Sequence, residues 1–126
     1  MKTARSTGTD TSPMHAISLR IDLAADGRIG PGKVELLEHI ATHGSISAGA
    51  RQMGMSYKHA WLLVEDMNRV FRKPVVAAKK GGQRGGGAEL THIGLAIVAR
   101  YRAIERAAEA AAAPHIAALR REIEDA

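Results

Sequence analysis

The stretch from Ser45 to Met67 restricts the fold more than any other part of this chain. A helix opening near Ser47, a good N-cap residue, must end quickly because Gly54 follows. A second capping serine, Ser56, then starts an amphipathic helix that runs to about Phe71. Its apolar stripe is Ala60, Val64, Met67 and Phe71 at helical spacing. Trp61 and Leu63 flank the stripe, and Trp61 is expected to supply core volume. Small Ala50 suits a close helix crossing, and Gly54 suits a turn that needs a permissive backbone. A short helix, a glycine turn and a longer helix make the pattern of a helix-turn-helix.

Upstream, Ile17, Leu19, Ile21 and Leu23 alternate with polar residues, the period of a half-buried strand. Asp26-Gly27 signals a turn, and Arg28-Ile29 can return as a second short strand. Gly30-Pro31 then opens a helix whose inward positions are Val34, Leu37, Ile40 and Ala41, closed by Gly44. Downstream, Pro74 stops the Ser56 helix. Two short extended runs, Val75–Ala78 and Ala88–Thr91, then flank the basic, glycine-rich segment from Lys79 to Gly87, a β-hairpin with a long tip. A helix-turn-helix trailed by a basic hairpin is the order of a winged helix. The arginine- and alanine-rich remainder from His92 is helical, and Pro114 is expected to break or kink it. Beyond it, Ile116, Leu119 and Ile123 give one more amphipathic piece.

Charge locates a surface. The net +5 of the 126 residues falls entirely within residues 47–92, while the segments on either side balance to zero. Such an excess suits a polyanionic partner, with nucleic acid ahead of a membrane. In a helix-turn-helix the second helix enters the major groove with its first residues on base edges. Those residues are Ser56, Tyr57, Lys58 and His59, all polar and none needed by the buried stripe. Lys58 can reach phosphate or guanine; Ser56, Tyr57 and His59 can bond phosphate or base. Ser45, Ser47 and Arg51 belong to the same candidate DNA-binding surface. Lys79, Lys80, Gln83 and Arg84 are set to grip the backbone or minor groove.

The residues Gly44-Ser45-Ile46-Ser47 through Ala50, then Gly54-Met55-Ser56-Tyr57-Lys58-His59-Ala60-Trp61 and Met67-Asn68, resemble the DNA-binding domain of the ModE family, bacterial molybdate-responsive transcription regulators. Gly85-Gly86-Gly87-Ala88-Glu89-Leu90-Thr91, Gly94 and Leu36-Leu37-Glu38-His39-Ile40 extend the likeness to roughly residues 16–105. The helix-turn-helix is also similar to that of LysR-type regulators. The resemblance implies duplex DNA binding and dimerisation. Full-length members of the family carry C-terminal molybdate-binding domains, and molybdate binding is not expected within a chain ending at Ala126.

The expected architecture is therefore mainly α with a small β-hairpin, a winged helix-turn-helix with a long C-terminal dimerisation helix. Residues 1–14 read as a disordered tail, 15–92 as the DNA-binding domain and 93–126 as the helical dimerisation segment. Ile97, Tyr101, Ile104, Ala108 and Ala111 form the apolar stripe of a two-fold homodimer, with Arg100, Arg102, Glu105, Arg106 and Glu109 flanking the seam.

Other classes fit less well. The chain has no cysteine, which excludes disulfides and thiolate metal sites and suits a reducing cytoplasm. His39 and His43 are four apart on a helix but lack a third ligand, so no metal or cofactor is expected. The glycine tract lacks the Gly-Lys-Ser/Thr of a phosphate loop, and no catalytic triad can be argued, so an enzyme is not expected. The rival reading is a general RNA- or nucleoid-binding module using Arg84-Gly85-Gly86, although aromatic residues make up only 3% of the chain, few for base stacking. No apolar run is long enough to span a bilayer.

Overall fold

A computed structural model describes residues 16–79 and 86–125. The expected tail, and Lys80, Gln83 and Arg84, which were expected in the basic hairpin loop, lie outside the described residues. The element order is β1 (Ile21–Ala24), β2 (Gly27–Ile29), α1 (Pro31–His43), α2 (Ile46–Gln52), α3 (Tyr57–Phe71), β3 (Val76–Ala78), β4 (Ala88–Leu90) and α4 (His92–Asp125).

Strands β1 and β2 pair antiparallel, with Ile21 opposite Ile29 and a register shift between Asp22 and Ala24. The alternation expected from Ile17 holds at Ile21 but fails at Leu23, which sits in the irregular segment and is 50% exposed. Helix α1 starts with Pro31 in its first turn and ends at Gly44 in the left-handed region, whose N–H returns to the Ile40 carbonyl. Its buried side is Val34, Leu36, Leu37 and Ile40. Leu36 is buried as well, and Ala41, expected to face inward, is exposed although it lies within the buried arc, because it lines an open groove beside Leu90, Leu95 and Val98.

Helix α2 is capped by Ser45, whose Oγ accepts from the Ala48 N–H at 3.0 Å. Ser47, the expected cap, lies inside the helix. At the far end Gly54 holds φ +68°, which a β-carbon would strain, and so turns the chain into α3. Ser56 caps α3 as expected, its Oγ accepting from the His59 N–H at 3.0 Å. Ala60, Val64 and Met67 of α3 pack into one core with Ala50, the α1 side chains, Val75, Ala88, Ile97 and Tyr101.

The hairpin β3–β4 pairs Val76 with Leu90 and Ala78 with Ala88. Two bonds fasten it to the body and a third closes its own base. The Ala88 N–H donates to the Gly44 carbonyl at 2.7 Å. The Asn68 Oδ1 accepts from the Val75 N–H at 2.8 Å, and the Thr91 hydroxyl donates to the Pro74 carbonyl at 2.7 Å. Gly94 lies against the Val75 carbonyl, so close that a β-carbon there would collide with backbone. Three helices and a hairpin in this order form a winged helix-turn-helix.

Helix α4 is continuous over 34 residues, with Pro114 inside it. The expected break does not occur. Alanines crowd residues 107–113, the strongest helix-forming run in the chain, and Ala110, whose carbonyl loses its usual donor to the proline, is open to solvent. Among the described residues no helix is long and apolar enough to cross a membrane.

Candidate nucleic-acid interface

The start of α3 is a solvent-facing edge. Tyr57, Lys58 and His59 are all exposed, and Tyr57 keeps 54% of its surface. Ser45 and Ser56 spend their side-chain oxygens on capping, so they set the helix entries. The residues after Ser56 diverge with the helical turn of about 100° per residue. Tyr57 lines a cleft on the hairpin side of α3, whereas His59 faces a shallower groove beside Arg20, Arg28 and Lys33.

The cleft encloses about 440 Å³ between α2, α3 and the hairpin. Ser47 and Ile46 close one end, Tyr57, Trp61, Glu65 and Asn68 form one wall, and Val76–Ala78 with Gly86–Ala88 form the other. Arg51 on α2 and Lys79 at the end of β3 are exposed, as is Lys58 on α3. Trp61 corrects the expectation of a core ring, since it is 42% exposed. One residue past Ala60 it is turned off the buried stripe and toward the hairpin. Trp61, Glu65 and Asn68 were not among the expected site residues. Their signal was the spacing from Tyr57, which puts all four on one face of α3.

Not every cation of the central segment is available to phosphate. Arg69 binds Asp66 at 2.5 Å and Asp26 at 3.1 Å, and Lys33 binds Asp66 at 2.5 Å. Hydrogen bonds from Lys33 and Arg69 hold the Asp66 carboxyl below its ordinary value. This network ties α3 to the β1–β2 turn and to the start of α1, fixing the helix whose other face is open.

The far side of the domain is built differently. Ile97 and Tyr101, expected on a dimer seam, are buried in the protomer's own core. The Tyr101 hydroxyl donates to the Leu19 carbonyl at 2.7 Å, and burial pushes its ionisation above the ordinary tyrosine value. Arg102 and Glu105, expected to flank the seam, are held within the protomer. Arg102 reaches Glu38 of α1 through two hydrogen bonds, at 2.7 and 3.0 Å, and Glu105 at 2.7 Å. Those bonds, the Glu38 pair foremost, hold the guanidinium above its ordinary range. Ile104 is 46% exposed, and Ala108 is partly buried. Beside Ile104 opens a groove of about 230 Å³ lined by Ile21, Leu23, Phe71 and Ile93, with Ile97 and Tyr101 also in its lining. His39 and His43 stack with ring centroids 5.7 Å apart, and no group of three or more potential metal ligands occurs among the described residues.

Known proteins are similar to this chain in sequence and in fold. The molybdenum-pterin-binding protein MopA of Rhodobacter capsulatus is 41% identical over 90 residues, which is 71% of this chain and 34% of MopA. MopB of the same organism is 51% identical over 78 residues, 62% of this chain and 29% of MopB. The DNA-binding transcriptional dual regulator ModE of Escherichia coli K12 is 44% identical over 71 residues, 56% of this chain and 27% of ModE. The chain thus spans about a third of the length of these relatives. No family model matches the sequence. Among solved structures, the DNA complex of CbnR_DBD superimposes with a TM-score of 0.55 at 18% identity, covering 70% of this chain and 95% of that one, a likeness of fold. The resemblance read from the residues thus extends to overall sequence similarity: over 56% to 71% of its length this chain is similar to ModE, MopB and MopA.

Proposed function

We propose that this chain is a transcription regulator that binds double-stranded DNA in a sequence-specific manner, as a homodimer on a two-fold operator, and that it is not an enzyme. The observation that carries the reading is the exposed start of α3, with Tyr57 lining a cleft walled by the hairpin and with Lys58, Arg51 and Lys79 exposed on or next to the elements that form it. Similarity to ModE, which is named a DNA-binding regulator, supports it. The first turn of α3 reads base edges in the major groove while the hairpin, with Lys79 and the neighbouring Lys80, Gln83 and Arg84, holds the backbone. Ser45 and Ser47 stand at the near end of the same surface. Molybdate binding is not proposed for these residues.

The dimer surface is the groove of Ile21, Leu23, Phe71, Ile93 and Ile104, continued along α4 by Ala108. Ile97 and Tyr101 serve as its floor. A second copy covering that face would remove exposed Leu23 and Ile104 from water and set two reading helices about one DNA turn apart. The test is selection of binding sites from random duplex DNA by the full chain. Enrichment of one inverted repeat is the expected result. Indifference to sequence with preference for single strands would overturn it in favour of a general nucleic-acid module.

A further inference from the structure

Trp61 is the sole tryptophan of the chain, and it stands out in water. It is 42% exposed, and Tyr57, one helical turn before it, is 54% exposed. Both rings line the cleft between α3 and the hairpin. Leaving two large rings uncovered forgoes the stabilisation their burial would bring, so their position fits an occupant that supplies apolar surface. The rim identifies the kind of occupant. Among the described residues, Glu65 is the one charged residue in the lining itself, but exposed Lys58 and Lys79 directly follow the lining residues Tyr57 and Ala78, and exposed Arg51 comes one helical turn after Ser47, which suits a polyanion whose interior displays apolar groups. The two rings also occupy the first two turns of α3, the part of a helix-turn-helix that enters the major groove. The apolar group that base edges display there is the C5-methyl of thymine.

We propose that Tyr57 and Trp61 form an apolar clamp for thymine C5-methyl groups and so select thymine at one or two positions of each operator half-site. The proposal rests on the reading that α3 enters the major groove of DNA. It adds a source of specificity that needs no hydrogen bond, alongside the polar contacts of Lys58. Trp61 is the less exposed of the pair and lies between Tyr57 and the polar Glu65 and Asn68 on the same wall. Tyr57 leads it into the groove and keeps its hydroxyl for a phosphate or base.

The experiment uses the full chain and a duplex selected from random DNA, with each thymine of a half-site replaced in turn by deoxyuridine, which lacks only the methyl. At one or two positions the replacement should weaken binding about fourfold, the loss expected for one buried apolar carbon. Trp61→Ala should bind the thymine duplex more weakly and should not distinguish thymine from uracil at those positions. Trp61 fluorescence should also change on binding the thymine duplex and change less with the uracil duplex. Equal binding to thymine and uracil duplexes of an enriched sequence would overturn the clamp while leaving sequence-specific binding intact. Full uracil discrimination by Trp61→Ala would overturn it as well. Failure to enrich any sequence would instead remove the DNA reading beneath it. Should Trp61→Ala lose its helical circular dichroism, Tyr57→Ala carries the same comparison at a position more exposed still.

Discussion

The side-chain oxygen of Asn68, on the last turns of the exposed helix α3, accepts the backbone N–H of Val75 at 2.8 Å. Val75 is fully buried, so this bond satisfies a donor that water cannot reach. It also makes the hairpin's first residue part of the same rigid piece as α3. Asn68→Ala should cost about 1–3 kcal/mol, the penalty for a buried donor left without a partner. Asn68→Asp, which keeps the acceptor, should cost less. Urea unfolding of the two variants tests this, and equal losses would show that the acceptor is not what matters.

DNA affinity should fall steeply with salt, because each phosphate contact adds roughly 0.9 to the slope of log K against log salt. Two protomers should give a slope of several units. Lys58→Ala should weaken the selected sequence by about 1–3 kcal/mol and relax specificity at one position. Lys79→Ala should weaken all sequences alike and lower the slope by about one. Salt titrations of the three proteins separate the cases, and undiminished specific affinity of folded Lys58→Ala would take it out of base reading.

Substitution along α4 should divide by burial. Ile97→Asp places a charge in the protomer core and should unfold the domain. Ile104→Asp and Leu23→Asp, at positions 46% and 50% exposed, should leave a folded chain that no longer dimerises. Sedimentation together with circular dichroism reads both properties. A monomeric natural protein at tens of micromolar, roughly ten times a usable dissociation constant, would exclude the proposed interface.

Acid should loosen the α3 anchorage. With its carboxyl held below the ordinary value of 3.8 by Lys33 and Arg69, Asp66 favours the folded state once it is ionised. That contribution is complete above the unfolded-state value and is lost as pH falls through the lower, folded one. Stability should therefore decline on acidification below about pH 4, and Asp66→Asn should flatten that limb of the curve. An identical acid limb in the variant would assign the effect to other carboxylates.

The helix-turn-helix was legible because its punctuation is local: Ser56 caps, Gly54 turns, and Ala60, Val64 and Met67 repeat at the helical period. The cap of α2 falls two residues before the expected Ser47, at Ser45, because Ile46 already belongs to the helix. Trp61 shows the limit of hydrophobicity as a guide, since its angular place on α3, not its composition, decides that it faces the cleft. The stripe on α4 is also visible in sequence, yet periodicity does not say what covers it. Leu19 lies 82 residues from Tyr101 and Glu38 lies 64 from Arg102, so no nearby residue announced that these α4 side chains belong to the protomer.

Helix α4 runs 34 residues, and its part beyond Glu105 extends for about 30 Å at roughly 1.5 Å per residue. Arg102 pins the helix to Glu38 of α1, so a change in helix direction at that pair would swing the remainder as a lever arm. A tilt of about 10° there would carry the far end through about 5 Å, on the order of the spacing between neighbouring β-strands. Anything fastened to the end of α4 would therefore feel a small angular change at Arg102 as a large displacement.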